Sequence, residues 1–203
     1  MRLVFASNNA HKLDEVRRIL PAGIEVLSLS DIGFEAEIEE TGTTLEQNSR
    51  IKAATVAAFI NGQQSVFSGQ IDGVFADDTG LEIDALGGQP GVYTARWAGE
   101  PAANRKKALA ELKGITDRGA QFRTVITLIK FSAISDQYSE TQVSGVVRGR
   151  IAEEEYGQGG FGYDPVFIPE GYDKTFGELP AEVKNSISHR SRALQALVKA
   201  LNC

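Results

Sequence analysis

The sequence predicts an α/β fold, a mixed β-sheet flanked by helices. Two observations carry that expectation. Short apolar runs alternate with helical periodicities in the first half of the chain, and two β-rich segments later read as a hairpin.

The elements follow in order. Leu3 to Ala6 is a short apolar run, expected as a buried strand. Ser7-Asn8-Asn9 breaks it, and Asn9 suits a helix cap. Leu13, Val16 and Leu20 recur at helical spacing, which predicts a helix over 10–20 that Pro21 and Gly23 end. Ile24 to Leu29 alternates like a second strand. Residues 43–61 carry the clearest helical pattern, with Thr44 and Gln47 spaced as a capping box and Asn61-Gly62 as the stop. Val74 to Ala76 reads as a buried strand ending at Asp77-Asp78, and a Gly- and Pro-rich stretch follows through Gly91. Pro101 to Lys113 is a third helix closed by Gly114. Phe122 to Ala133 and Tyr138 to Arg150 are rich in Thr, Val and Ile, with Ser135-Asp136-Gln137 as the turn of an antiparallel hairpin. A glycine-rich loop spans Gly157 to Gly162, and Ser191 to Leu201 is a final helix.

Bulk properties narrow the function. A chain of 203 residues, 42% hydrophobic and 24% charged, suits one globular domain over residues 1–203, or two small lobes sharing a core. The net charge of -6 argues against a general nucleic-acid binder, which would carry a basic face. It leaves room for a small polyanion held by a few lysines and a divalent cation. The one cysteine, Cys203, excludes an intrachain disulfide and a cysteine metal cluster, which fits a reducing cytoplasm. No segment has the length of a membrane span, and the N-terminal apolar run is too short for the core of a signal peptide.

Five segments can carry chemistry. Ser7 to Lys12 places backbone N–H groups and a lysine where an anion is welcome, although a polar turn with a capping asparagine is the commoner reading. Glu39-Glu40-Thr41-Gly42 precedes a helix on which Asn48 and Lys52, four apart, share a face. Such residues can flank a metal–phosphate unit, or merely complement a helix dipole. Asp77 and Asp78 follow an apolar strand. Hard carboxylate oxygens are what magnesium selects, and a carboxylate can take a proton from water. Asp-Thr-Gly is equally good turn chemistry. Gly157 to Gly162 matches a dinucleotide fingerprint only formally, since no helix follows. What remains is a loop presenting Phe161 and Tyr163, either to stack on a base or as core anchors. Lys184 to Arg190 gathers cationic groups before the last helix, in what otherwise reads as a solvated polar turn with Ser188 as cap.

Taken together and in this order, these segments resemble the inosine triphosphate pyrophosphatase family of nucleotide house-cleaning enzymes. The matching residues are Ser7-Asn8-Asn9 through Lys12 and Glu15; Glu39-Glu40-Thr41-Gly42 through Asn48 and Lys52-Ala53; Ala76-Asp77-Asp78-Thr79-Gly80-Leu81; Leu86-Gly87-Gly88-Gln89-Pro90-Gly91-Val92-Tyr93; Gly160-Phe161-Gly162-Tyr163-Asp164-Pro165; and Lys184-Asn185 with Ile187-Ser188-His189-Arg190. The departures are Thr79 for a usual serine, Trp97 for a tyrosine and Gly177 for an alanine. The resemblance implies an elongated α/β fold with two lobes and a central cleft, usually as a homodimer. It implies magnesium-dependent hydrolysis of non-standard purine nucleoside triphosphates (ITP, dITP, XTP) to the monophosphate and pyrophosphate.

Site roles are implied in the same way. Ser7, Asn8, Asn9, Ala10, His11 and Lys12 would hold the phosphates. Glu39 and Asp78 would bind Mg2+, and Asp78 would activate water with Asp77 beside it. Lys52 and Lys184 would neutralise developing charge. Thr79 would contact the nucleotide, and Phe161, Gly162, Tyr163 and Asp164 would bracket the base. His189 and Arg190 would donate to a 6-oxo group. Three rivals remain: a pyrophosphatase preferring modified pyrimidine nucleotides, a nucleotide sensor without catalysis, and a single-stranded nucleic-acid binder. The His189-Arg190 pair opposes the first, the retained carboxylates the second and the negative charge the third.

Overall fold

A computed structural model describes residues 1–63, 69–132 and 138–201. The strands are β1 (Arg2–Phe5), β2 (Glu25–Leu27), β3 (Gly73–Ile83), β4 (Pro90–Gly91), β5 (Gly119–Phe131), β6 (Tyr138–Ile151) and β7 (Phe167–Pro169). The helices are α1 (Ala10–Ile19), α2 (Leu45–Gly62), α3 (Pro101–Glu111), α4 (Ala181–Ile187) and α5 (His189–Leu201). The strands form one mixed sheet in the order β2-β1-β3-β5-β6-β7, with β4 paired to β3. β1 lies parallel to β2 and β3, whereas β4 on β3 and β7 on β6 are antiparallel. The expected α/β class is therefore the observed one. β5 and β6 are neighbours as the hairpin reading requires; its turn, Ser135-Asp136-Gln137, and Cys203 lie outside the described residues.

Two compact units divide the chain. The first comprises Met1–Asp78, Val125–Ser144 and Ala193–Cys203. Leu3–Phe5 of β1 and Val74–Ala76 of β3 are apolar without interruption because both faces of the sheet are covered there. Successive side chains alternate between two cores. Val4, Ala6, Val74 and Ala76 face Val56, Ala57 and Ile60 of α2. Leu3, Phe5 and Phe75 face Val16 of α1 and Leu194 and Leu197 of α5. The Phe5 and Phe75 rings stack at 4.9 Å. Helix α1 starts where Asn9 caps it, its side chain accepting from Lys12 N, and it ends before Pro21. Helix α2 starts at Thr44, whose hydroxyl accepts from Gln47 N. Only half of the capping box forms. The Gln47 side chain instead accepts from Thr43 N at 2.7 Å. The buried face of α2 is apolar towards its end but carries Asn48, Ser49 and Lys52 near its start.

The second unit comprises Thr79–Thr124 and Gly145–Arg192. Its core joins Leu81 and Ile83 of β3 to Ala108 of α3 and an aromatic group of Phe122, Phe167 and Phe176. Phe122 and Phe167 meet edge to face at 4.7 Å, an arrangement aromatic pairs favour.

Three sequence expectations are corrected. The strand expected to stop at Asp77-Asp78 continues to Ile83 as an 11-residue strand. Thr79-Gly80 is no turn because Leu81 and Glu82 pair with Gly91 and Pro90, and Leu81 N donates to Thr94 Oγ1. Lys184 to Ile187 is not a solvated turn but the end of α4. The last helix begins at His189, two residues early, with Ser188 Oγ accepting from Ser191 N. Strand β7 carries no pattern long enough to announce it.

Candidate active site

In the first unit, carboxylates from β3 and from the segment before α2 meet lysines from α1 and α2. Lys12 Nζ donates to Asp77 Oδ1 at 2.9 Å. Lys52 Nζ donates to Glu40 Oε1 at 2.7 Å and reaches Asp78 Oδ1 at 3.4 Å. Adjacent residues of an extended strand point to opposite faces, so Asp77 and Asp78 meet different lysines. Both aspartates are buried. Lys52 is held in place by its own helix. One turn earlier, Ser49 Oγ sits in a buried set: it donates to Ala76 O at 2.9 Å, accepts from Thr127 N at 2.8 Å and lies 2.8 Å from the Thr127 hydroxyl. That set fastens α2 to β3 immediately before the two aspartates.

Three carboxylates face two lysines here, so negative charge is in excess. Burial pushes the Asp78 carboxyl above the usual range; Lys52 opposes this, and Glu40 adds to it. Burial also disfavours a charged Lys52, but Asp78, Asp77 and Glu40 outweigh it and hold the ammonium group above its ordinary pKa. Lys52 therefore stays cationic, while Asp78 is a stronger base than a free aspartate.

The donor set fits a hard divalent cation. Asp78 Oδ2 is buried with no hydrogen-bond partner, so an acceptor is present that nothing in the protein uses. No group of three His, Cys, Asp or Glu side chains among the described residues forms a complete metal cage. Magnesium takes one or two carboxylates and fills its shell with water and phosphate oxygens, so a partial set is what such a site needs.

The other expected residues fall as follows. Ser7 Oγ accepts from Asn9 N at 3.3 Å, while Asn8, Ala10 and His11 are exposed. Glu39 is exposed, and the carboxylate that reaches Lys52 is its neighbour Glu40. In the second unit, Asp164 is buried and organises the glycine-rich loop. It accepts from Phe161 N at 2.5 Å and pairs with Lys184 Nζ. Phe161 is left 73% exposed on a loop whose backbone is tied down, as a stacking surface requires. Tyr163 differs: its ring is buried in the unit's core, and its hydroxyl donates to Thr94 O at 3.1 Å. Burial raises its pKa strongly. Gly162 O accepts from Arg105 Nη1 at 2.9 Å. His189 is buried and stacked on Phe122 at 4.8 Å, and Arg190 beside it is half-buried. Thr79 Oγ1 lies 2.8 Å from Thr124 Oγ1.

Several of these partners had no role in the sequence reading: Glu40, Ser49, Phe122 and Thr124. Only Glu40 sat inside a matched motif. The rest reach partners distant in the sequence, beyond any local spacing.

The Ham1 family model matches residues 3–200. The chain belongs to the Ham1 family. Among relatives of this Ham1 chain, the dITP/XTP pyrophosphatase of Flavobacterium johnsoniae is 47% identical over 99% of the chain and 98% of its own length. That of Bacillus subtilis is 48% identical over 98% and 96%. The solved Ham1 protein of Staphylococcus aureus superposes with a TM-score of 0.84 at 38% identity, covering 100% of this chain and 98% of its own. The Ham1 protein of Coxiella burnetii gives 0.84 at 36% identity, with the same coverage.

Proposed function

We propose that this Ham1 chain hydrolyses non-standard purine nucleoside triphosphates (ITP, dITP and XTP) to the monophosphate and pyrophosphate. The observation that carries the chemistry is Asp78, a buried carboxylate raised in pKa, with one oxygen near Lys52 and the other without a partner. Relatives named dITP/XTP pyrophosphatase match it over almost its full length.

The chemistry follows from the site. Asp78 takes a proton from a water molecule, whose oxygen attacks the α-phosphorus. The bond from that phosphorus to the α,β-bridging oxygen breaks, and pyrophosphate leaves with the electron pair. Lys12 and Lys52 stand where the phosphates carry their charge. Fixed cations of this kind stabilise charge that develops in the transition state. Asp78 and the Glu39-Glu40 segment would hold magnesium, which when bound would supply Lewis-acid neutralisation of the phosphate oxygens.

Base selection falls to His189 and Arg190. Both offer donors, which suit the 6-oxo group of hypoxanthine and xanthine and oppose the 6-amino group of adenine. Phe122 beneath the imidazole holds its plane. We read the protein as a cytoplasmic homodimer. The family resemblance supports the dimer, and a single cysteine supports a reducing compartment. No helix among the described residues is long and apolar enough to cross a membrane.

The test is direct. The protein is incubated with magnesium and, separately, ITP, XTP, ATP, GTP and UTP. IMP and XMP with pyrophosphate, and little product from the others, is the expected result. Release of orthophosphate, or equal turnover of UTP and ITP, overturns the reading.

A further inference from the structure

Asn48 is fully buried on α2, one turn before Lys52 and on the same face. Its Oδ1 accepts from Gly42 N at 2.8 Å. That bond fixes the orientation of the amide, because a backbone N–H can face only the oxygen. The segment leading to Gly42 approaches the helix so closely that a Cβ at Gly42 would lie 2.6 Å from Asn48 Oδ1 and 2.7 Å from Gln47 Cβ. Asn48 and Gln47 thus clasp the arm that carries Glu40, the carboxylate on Lys52.

The other end of the amide is unaccounted for. Asn48 Nδ2 is buried and has no hydrogen-bond partner. A buried donor without an acceptor is a standing cost to folding, and a clasp alone needs only the acceptor oxygen. The same cluster leaves Asp78 Oδ2 without a partner. Asp78 belongs to the lysine–carboxylate group assigned above to the phosphates, and Asn48 stands one helical turn from Lys52 of that group. A triphosphate is rich in acceptor oxygens and carries no donor when fully ionised, so it complements the amide nitrogen.

We propose that Asn48 is a substrate-binding residue: its Oδ1 holds the 39–42 arm to α2, and its Nδ2 donates to a phosphate oxygen of the bound nucleotide. The proposal rests on the reading of this cluster as the phosphate site, and it adds a donor to the lysines already named there.

The test uses the full chain with Asn48→Ala and Asn48→Asp. The aspartate keeps the acceptor for Gly42 N, removes the donor, and places a carboxylate where the donor stood. Binding of inorganic tripolyphosphate with magnesium is measured by calorimetry, alongside ITP turnover and thermal melting. A hydrogen bond to a charged acceptor corresponds to roughly a 10- to 100-fold change in affinity. Both variants are expected to weaken tripolyphosphate binding by about that factor, with Asn48→Asp the weaker binder. The Asn48→Asp melting midpoint should fall, because the variant buries a further carboxylate where negative charge is already in excess, and melting is followed to keep both variants folded at the assay temperature.

Parent-like binding by Asn48→Asp overturns the donor assignment, because an added carboxylate beside the phosphates cannot be silent. A parent protein that binds no tripolyphosphate overturns it too. If the parent binds tripolyphosphate but does not hydrolyse ITP, the substrate reading fails; weakened binding in the variants would then still place Asn48 in a phosphate site.

Discussion

Asp78→Asn separates the two burdens placed on this side chain. The amide has nearly the same shape, but it accepts no proton and is a poor ligand for a hard cation. Loss of a positioned general base alone removes about a hundred- to ten-thousand-fold in rate, which is about 3–5 kcal/mol on the barrier. ITP turnover, followed by pyrophosphate release, should fall by at least that factor. Stability should move the other way. The Asp78 carboxyl is raised in the folded chain, by burial first, against Lys52. A carboxyl raised on folding contributes stability below its ordinary value of 3.8, and the contribution is lost as pH rises through the folded-state pKa. The amide of Asp78→Asn mimics the protonated carboxyl at every pH. The melting midpoint of the variant should therefore match the parent below the ordinary carboxyl value, exceed it increasingly as pH rises through the folded-state pKa, and stay above it from there. Two results refute the reasoning. Retention of more than about a tenth of the turnover would show that Asp78 is not the base. A midpoint that falls further below the parent as pH rises would show that pairing with Lys52 outweighs burial.

Three further outcomes are expected. His189→Ala should erode the preference for ITP over ATP by about 5- to 150-fold, the worth of one mismatched buried donor; an unchanged ratio of kcat/KM values would remove His189 from base recognition. Gly160→Ala should raise KM for ITP by roughly 5- to 100-fold and lower the melting midpoint, since backbone strain of this kind costs about 1–3 kcal/mol. A Cβ there would collide with Asp164 Oδ2, at a φ of +81° that L residues avoid; parent-like kinetics would show that the Asp164 tie does not matter. Ser49→Ala should destabilise the fold by about 1–3 kcal/mol, because it leaves Thr127 N and Ala76 O short of partners in a dry interior. Chemical denaturation checks it, and a change under about 0.5 kcal/mol would mean the network rearranges without loss.

The fold was legible where periodicity was long. Helix α2 and strand β1 follow from their apolar spacing, and Asn9 and Thr44 sit at the caps that their hydroxyl or amide chemistry suits. The long β3 was not legible past Asp78. Two carboxylates and Thr-Gly look like a turn, and only the cross-strand pairing with Pro90 and Gly91 overrides that local preference. Strand β7 was missed for the same reason: its three residues take their conformation from β6, not from themselves. Among the candidate residues, Asp77, Asp78, Lys12 and Lys52 come together as the motifs suggested. Tyr163 does not face outward with Phe161, since a ring two residues along a turning loop can be drawn into the core. Phe122 under His189 joins residues 67 positions apart, a contact no local pattern encodes.

The pairing of lysines with carboxylates has one more consequence, for the order in which charges meet. Lys12 is engaged by Asp77, and Lys52 by Glu40 and Asp78. On the proposed reading, a polyphosphate that draws these ammonium groups to itself strips three carboxylates, the two aspartates among them buried, of their counterions. It then brings more negative charge beside them. A free nucleotide anion would thus bind against its own field. A nucleotide that arrives with a dication brings a cation for the carboxylates it leaves behind. The resting site is a gate set by charge balance: it should admit metal–nucleotide complexes and turn away bare anions of the same shape.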